Sequence, residues 1–376
     1  MNPTTKISND PDFVACHQTR IITTSLLLFP RMGLLTACFY CLAIWVCLPL
    51  YLSVFETQTI DDGHKMKQFF TFLCLGLAFL LFQLEKANAQ QDPMYTQYMN
   101  NILSVNPAYA GSGEVLSMMV MSRNQWVSID GAPATQSFIM HAPITKHHMG
   151  LGFSLLKDQL GPISQTGAYI DYSYSIDIVH GRYLSFGLKG GVNFFEAGLS
   201  KLETVDSNDP VFANDINRNF LPNVGIGLYY NSERFMTGIS IPKLIQNQIN
   251  RSDFSSEYVS RENIHLFFMA GYVFDINRIL KFKPYFLTKY SQNSPLAVDL
   301  TAQFLFYERL WLGAMYRVGD AVGAMFQVQI SNQLKVGYAY DVTATDLGSY
   351  NNGTHEILVS YDFNFGRDKV RSPRYF

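Results

Sequence analysis

The sequence predicts an all-β fold: a transmembrane outer-membrane β-barrel of about 14 antiparallel strands, preceded by a short N-terminal helix or plug segment. Three observations predict it. Apolar and polar residues alternate with a period of two in repeated runs across residues 114–366. The connections between the runs alternate between short and long. An export signal stands ahead of the first run.

Taken in order, residues 1–65 contain an uncharged apolar run, 33–55, long enough to cross a bilayer. Followed by a second apolar segment, it would hold the product in the inner membrane. The simplest resolution makes Met66 the true start and 1–65 a non-native extension; the alternative is a retained anchor. Residues 66–89 read MKQFFTFLCLGLAFLLFQLEKANA and have the parts of a signal peptide. Lys67 is the basic start, 69–82 the apolar core, and Ala87 and Ala89 are the small residues before cleavage. Cleavage after Ala89 leaves Gln90 as the new terminus.

All five cysteines (Cys16, Cys38, Cys41, Cys47, Cys74) precede Gln90, so residues 90–376 hold neither a disulfide framework nor a Cys-based metal site. Six of the 28 Lys/Arg and six of the 30 Asp/Glu also precede it, leaving 22 and 24. That balance excludes the basic footprint of a nucleic-acid binder.

Residues 90–113 are polar, aromatic and turn-rich. Asp92-Pro93 is a helix start, with Asp as N-cap and Pro at the first helical position. Tyr95, Tyr98, Met99 and Ile102 then form one apolar stripe at helical spacing, and Asn106-Pro107 ends it. The segment is either an amphipathic plug at the periplasmic mouth or a leader to the first strand.

Fourteen alternating runs follow, starting near residues 114, 134, 148, 165, 182, 222, 234, 263, 281, 296, 310, 321, 333 and 354. In LAVDLTAQFLFY, Leu296, Val298, Leu300, Ala302, Phe304 and Phe306 share one face, opposite Asp299, Thr301 and Gln303. Ile170, Tyr172, Tyr174 and Ile176 oppose Asp171, Ser173, Ser175 and Asp177. Short turns fall near 180–181, 231–232, 275–278, 308–309 and 331–332. Longer loops fall at 157–164, 196–221, 242–262, 291–295 and 342–353, while 318–320 is a tight turn on the long-loop side. An even strand number puts both barrel ends on one side. A soluble β-sandwich also alternates, but would carry many more Lys and Glu on its wet faces. Here the inner face is small and mildly polar, and tyrosines at Tyr229-Tyr230, Tyr290, Tyr307 and Tyr316 mark interfacial girdles. Residues 367–376 form a basic tail.

QDPMYTQYM (91–99), NPAYAG (106–111), RNQW (123–126), GAPATQSF (131–138) and the closing SPRYF (372–376) together resemble the PorP/SprF family, outer-membrane proteins associated with the type IX secretion system of Bacteroidetes. The resemblance covers 90–376. It implies a non-enzymatic barrel that assists secretion or surface anchoring of very large adhesin-like proteins, some members contributing to gliding motility. The partners implied are such a surface protein and machinery subunits; outer-membrane lipid surrounds the barrel, and no cofactor is implied. The alternative on the same barrel is a diffusion channel or lipophilic-solute transporter.

Candidate partner-binding residues are Arg123, Asn124, Gln125 and Trp126, at the end of the first strand on the long-loop rim, and Asp206, Asp209 and Asp215 in the 196–221 loop. The other reading of Trp126 is an interfacial anchor. The loop aspartates lack EF-hand spacing, and His147-His148 sit in a short turn, so no metal site is assigned. Ser137 and His141 share a strand face about 13 Å apart, too far for a catalytic hydrogen bond. Asp171, Lys189, Asp299, Arg317 and Lys335 fall on the lumenal face as paired fillers.

Overall fold

A computed structural model of the chain describes residues 93–113, 115–145, 148–179, 181–201, 215–249, 262–291 and 294–363. The fourteen strands are β1 (Leu116–Asn124), β2 (Ala134–Thr145), β3 (Met149–Leu160), β4 (Ile163–Val179), β5 (Arg182–Ala197), β6 (Ile216–Asn231) and β7 (Phe235–Ile241), then β8 (His265–Tyr272), β9 (Leu280–Ser291), β10 (Ala297–Phe306), β11 (Leu310–Arg317), β12 (Ala321–Gln329), β13 (Leu334–Thr343) and β14 (Thr354–Phe363). Phe274–Asp275 continues β8 past Val273, pairing with β9 in the same register. Every strand pairs antiparallel with its sequence neighbours, and β1 pairs with β14, so the sheet closes. Closure removes the unpaired edges that a bilayer cannot tolerate.

The period of two separates two faces. Ile170, Leu300, Phe326, Ile357 and Val359 point outward and are exposed, whereas Asp171, Thr301, Gln327, Glu356 and Leu358 point inward and are buried. Ten extended residues span about 34 Å, or about 26 Å when tilted by about 40°, close to the height of an outer-membrane apolar band. The exposed apolar belt is therefore the lipid-facing surface of a transmembrane barrel.

Three expectations are corrected. The loop expected at 157–164 is a continuation of β3 and β4, turned by Gly161-Pro162 with Gly161 at φ +55°. Likewise β6 begins at Ile216 rather than near 222. Polar residues extend these strands beyond the apolar band because ladder hydrogen bonds need no apolar face: Asp158 pairs with Gln165, and Thr135 donates its hydroxyl to Asp158 at 2.6 Å. Tyr229 faces the lumen in the inward phase rather than joining an outer girdle, whereas Tyr290, Tyr307 and Tyr316 are exposed.

Candidate functional site in the barrel lumen

Inside the barrel lies the chain's own segment 93–113. The side chains of Tyr95, Tyr98, Met99 and Ile102 are all buried, and so are Thr96, Gln97, Asn101, Leu103, Asn106 and Ala108. One apolar cluster joins Tyr95, Tyr98, Met99, Ile102, Leu103 and Ala108 to the inward side chains Met119, Met121, Met236, Met269, Met315 and Leu358. Methionine suits this place, since its flexible thioether fills irregular gaps between a strand wall and an irregular segment.

The long helix expected from Asp92-Pro93 is not formed. Residues 96–100 are turns, with Asn100 and Asn101 donating their N–H to Gln97 and Tyr98 carbonyls, and the α-helix is confined to Ile102–Val105. Asp92 lies outside the described residues. The physical reason is that the segment is walled on every side. The Thr96 and Gln97 N–H groups go to the two oxygens of Glu356 at 2.9 and 2.8 Å, and a one-sided stripe has no solvent to oppose it.

That carboxylate belongs to a buried charged cluster. Arg123 Nη1 donates to Glu356 at 3.1 Å, to Asp341 at 3.0 Å and to the Thr96 hydroxyl at 2.6 Å, while that hydroxyl donates to Asp341. Two carboxylates share one guanidinium, and the donors on Thr96 and Gln97 stabilise the remaining negative charge. Without these donors two desolvated carboxylates would face one cation. A second anchor lies alongside: Arg317 forks onto Asp299 at 2.9 and 3.2 Å and reaches the Tyr95 carbonyl at 3.4 Å. Tyr98 donates to the Asp299 carbonyl at 3.2 Å and lies 3.0 Å from the Thr301 hydroxyl. Lys189 pairs with Asp171 at 3.1 Å and donates to the Leu103 carbonyl at 3.2 Å.

The stretch NPAYAG is the segment's seat on the opposite wall. Asn106 donates to the Leu228 carbonyl at 2.9 Å, and its side-chain oxygen accepts the Ala108 N–H at 3.0 Å. That bond opens the short 3-10 turn Pro107–Tyr109, with proline at its first position. Tyr109 packs edge-on against His141 and Tyr229. Ser173 donates to the Ala110 carbonyl at 2.5 Å, and Gly111 donates to His141 Nδ1 at 3.3 Å. The wall opposite is glycine where the backbone approaches most closely. A Cβ on Gly187 would overlap the Ala108 nitrogen, and one on Gly227 would overlap the Asn106 side-chain oxygen.

The sequence-expected rim residues divide. Arg123 is not on the rim surface: it is in phase with Met119 and Met121, points inward, and is 1% exposed. Asn124 is exposed, Gln125 donates its N–H to the Pro133 carbonyl, and Trp126 begins the following loop at φ +47°. Asp215 accepts the Ser200 N–H at 2.9 Å, tying the base of its loop, and Asp206 and Asp209 lie outside the described residues. Ser137 accepts from Asn101 at 3.4 Å, so Ser137 and His141 each hold the segment rather than each other. His148 lies 3.3 Å from the Ser175 carbonyl, and His147 and the tail 367–376 fall outside the described residues. Asp341, Glu356, Thr96 and Gln97 went unassigned in the sequence. The phase of alternation was the available signal, since it puts Arg123, Asp341 and Glu356 on the inward face.

The sequence model of a family described as "Type IX secretion system membrane protein PorP/SprF" matches residues 87–361, which contain the whole lumenal segment and nearly all of the barrel. The chain belongs to the PorP/SprF family. Membership makes it a membrane component of type IX secretion on an outer-membrane barrel fold, and implies association with that machinery. Comparison with curated proteins gives no match. Among solved structures, this PorP/SprF chain is similar to a Pseudomonas aeruginosa FadL homologue, with 11% identity over 69% of this chain and 93% of that one, TM-score 0.39. It is similar also to the CymD monoaromatic hydrocarbon channel (11% identity, 69% of this chain and 91% of that one, TM-score 0.39) and to the NanC porin (11% identity, 66% and 100%, TM-score 0.36).

Proposed function

We propose that this protein is a non-enzymatic outer-membrane partner for type IX secretion, which helps a large adhesin-like protein reach or stay on the cell surface, and in gliding cells serves motility through it. Its long-loop rim faces outward and its short-turn rim faces the periplasm, the arrangement usual for outer-membrane barrels. The observation that carries this reading over a diffusion channel is the lumenal segment, held to the wall at both ends by hydrogen bonds, those of Thr96 and Gln97 going to a carboxylate of a buried ion pair of the wall. A solute pore needs a wetted path, and here that path is occupied by packed protein. The long loops, with Gln125, Trp126 and Asp215 at their bases, supply the recognition surface, since loops on a rigid scaffold are free to vary.

The test is the surface proteome of cells with and without the protein, by protease shaving and mass spectrometry. Loss of one or a few giant surface proteins from the deletion strain is expected and identifies the substrate. An unchanged surface proteome with reduced uptake of a small solute overturns the reading in favour of the channel.

A further inference from the structure

The lumenal segment crosses the barrel from one rim to the other, and its contacts give the direction. The Tyr95 carbonyl meets Arg317, the last residue of β11 at the long-loop rim. Thr96 meets Asp341 and Glu356, each third from the long-loop end of its strand, and Tyr98 meets Asp299, third from that end of β10. The Leu103 carbonyl meets Lys189, midway along β5. Asn106 then meets Leu228, fourth from the short-turn end of β6. Gly111 meets His141, fifth from the short-turn end of β2, and lies against Gly150, the second residue of β3. Chain order and depth run together: residues nearer the amino end sit nearer the long loops, and β1 starts back from the short-turn rim. The segment is a thread through the barrel, not a plug at one mouth.

Exposure follows the same course, since Pro93 and Met94 are half-buried whereas Tyr95 to Met99 are buried. Below that level the barrel has no room for the chain to pass a second time. A Cβ added at Gly150, Gly187 or Gly227 would collide with Ala110, Ala108 or Asn106, so segment and wall are in direct contact on that side. On the other side, the cavity between the segment and β9 to β14 measures about 90 Å³, space for a few waters and not for a returning strand. A chain still joined to the apolar runs 33–55 and 69–82 would therefore carry them out through the long-loop mouth, into water on the side away from the inner membrane.

We infer that the segment is threaded with its amino end outward: the signal segment is removed first, the barrel closes around the free end, and the chain ahead of Tyr95 is displayed at the long-loop mouth. Hydrolysis of the Ala89–Gln90 bond by a signal peptidase supplies that end, one water adding so that Ala89 keeps a carboxylate and Gln90 gains an ammonium. Cleavage is then a condition of assembly. Thr96 and Gln97 complete the Arg123–Glu356 cluster at the seam, and an end tethered on the periplasmic side cannot reach it. The displayed end stands among the loops given the recognition role. The outward sense of that rim rests on the secretion reading; the direction of the thread within the barrel rests on the contacts alone.

Because every cysteine precedes Gln90, one introduced cysteine is the only thiol of a cleaved chain. Cells expressing the full chain are treated with a maleimide too large to pass porins, before and after lysis. Pro93→Cys and Gln91→Cys report the amino end, while the exposed positions Ser349→Cys and Asn332→Cys report the long-loop and short-turn rims. Both amino-end variants are expected to label in intact cells as Ser349→Cys does, with Asn332→Cys labelling only after lysis and the parent in neither state. Amino-end variants that follow Asn332→Cys, or that label in neither state, overturn the threading. If Ser349→Cys and Asn332→Cys exchange behaviour, the outward sense of the rim fails, and the threading is read from the control that the amino end follows. Labelling of the parent in the heat-modifiable barrel band, or a peptide spanning Ala89–Gln90 recovered from that band, overturns cleavage as a condition of assembly.

Discussion

Arg123 and Glu356 are register partners across the seam where β1 and β14 close the barrel, with charged ends 3.1 Å apart and both side chains buried. One pair thus fastens the seam, while Glu356 also holds the backbone of the lumenal segment at Thr96 and Gln97. The lumenal segment, which precedes β1 in the chain, is thereby joined to the last strand of the barrel.

Breaking this pair is expected to be severe, and the losses from the two partners are not expected to add. Glu356→Leu leaves Arg123 with Asp341 but strands two backbone N–H groups; Arg123→Met leaves two buried carboxylates facing each other. Each should lower stability by about 3–5 kcal/mol, with the double variant less destabilised than their sum. The measurement is the urea midpoint of the heat-modifiable gel band for the four proteins of the cycle.

The seat of NPAYAG predicts a position-specific glycine effect on a single strand. Gly187→Val should displace Ala108 and expose the segment to added protease while the strands remain folded. Gly190→Val, where an added Cβ meets nothing within 4 Å, should behave like the parent. Limited proteolysis read by mass spectrometry at 93–113 distinguishes the two. Equal protection in both variants would contradict the close seat.

The lipid-facing assignment is tested at Val359, outward on β14 and paired with Val120 and Val336. Val359→Arg should destabilise the barrel in lipid by about 2–4 kcal/mol if it sits near the bilayer midplane, and Val359→Leu by less than about 1 kcal/mol. Equilibrium unfolding in vesicles reads the difference.

Trp126 holds a left-handed backbone, φ +47°, that glycine adopts without strain. Trp126→Gly should therefore leave the barrel's stability within about 1 kcal/mol of the parent. If the side chain docks the exported partner, surface retention of that partner falls in the variant; retention at the parent level assigns Trp126 to the interface with lipid instead.

The wall was legible because period-two alternation reports the same strand twice, through its lipid face and its lumen face. Ala134, Arg182, Leu310, Ala321 and Thr354 begin strands where the alternation begins. The polar extensions of β3, β4 and β6 were not legible, since beyond the lipid band the ladder persists while the apolar face stops. The lumenal segment was readable in composition but not in conformation. Its turns follow from acceptors on Glu356, 260 residues away in the chain, and no local spacing encodes that partner. Tyr95, Tyr98, Met99 and Ile102 formed a stripe on paper, but Thr96 and Gln97 between them are equally buried, so the helical pattern carried no information about which side faced the wall.

Whether the lumenal segment closes the barrel is read most simply from single-protein conductance in a planar bilayer. Near silence is expected from the parent protein, and steady channels from Gly187→Val, in which the segment has lost its seat. Steady, porin-like conductance from the parent protein with its segment intact would contradict that closure.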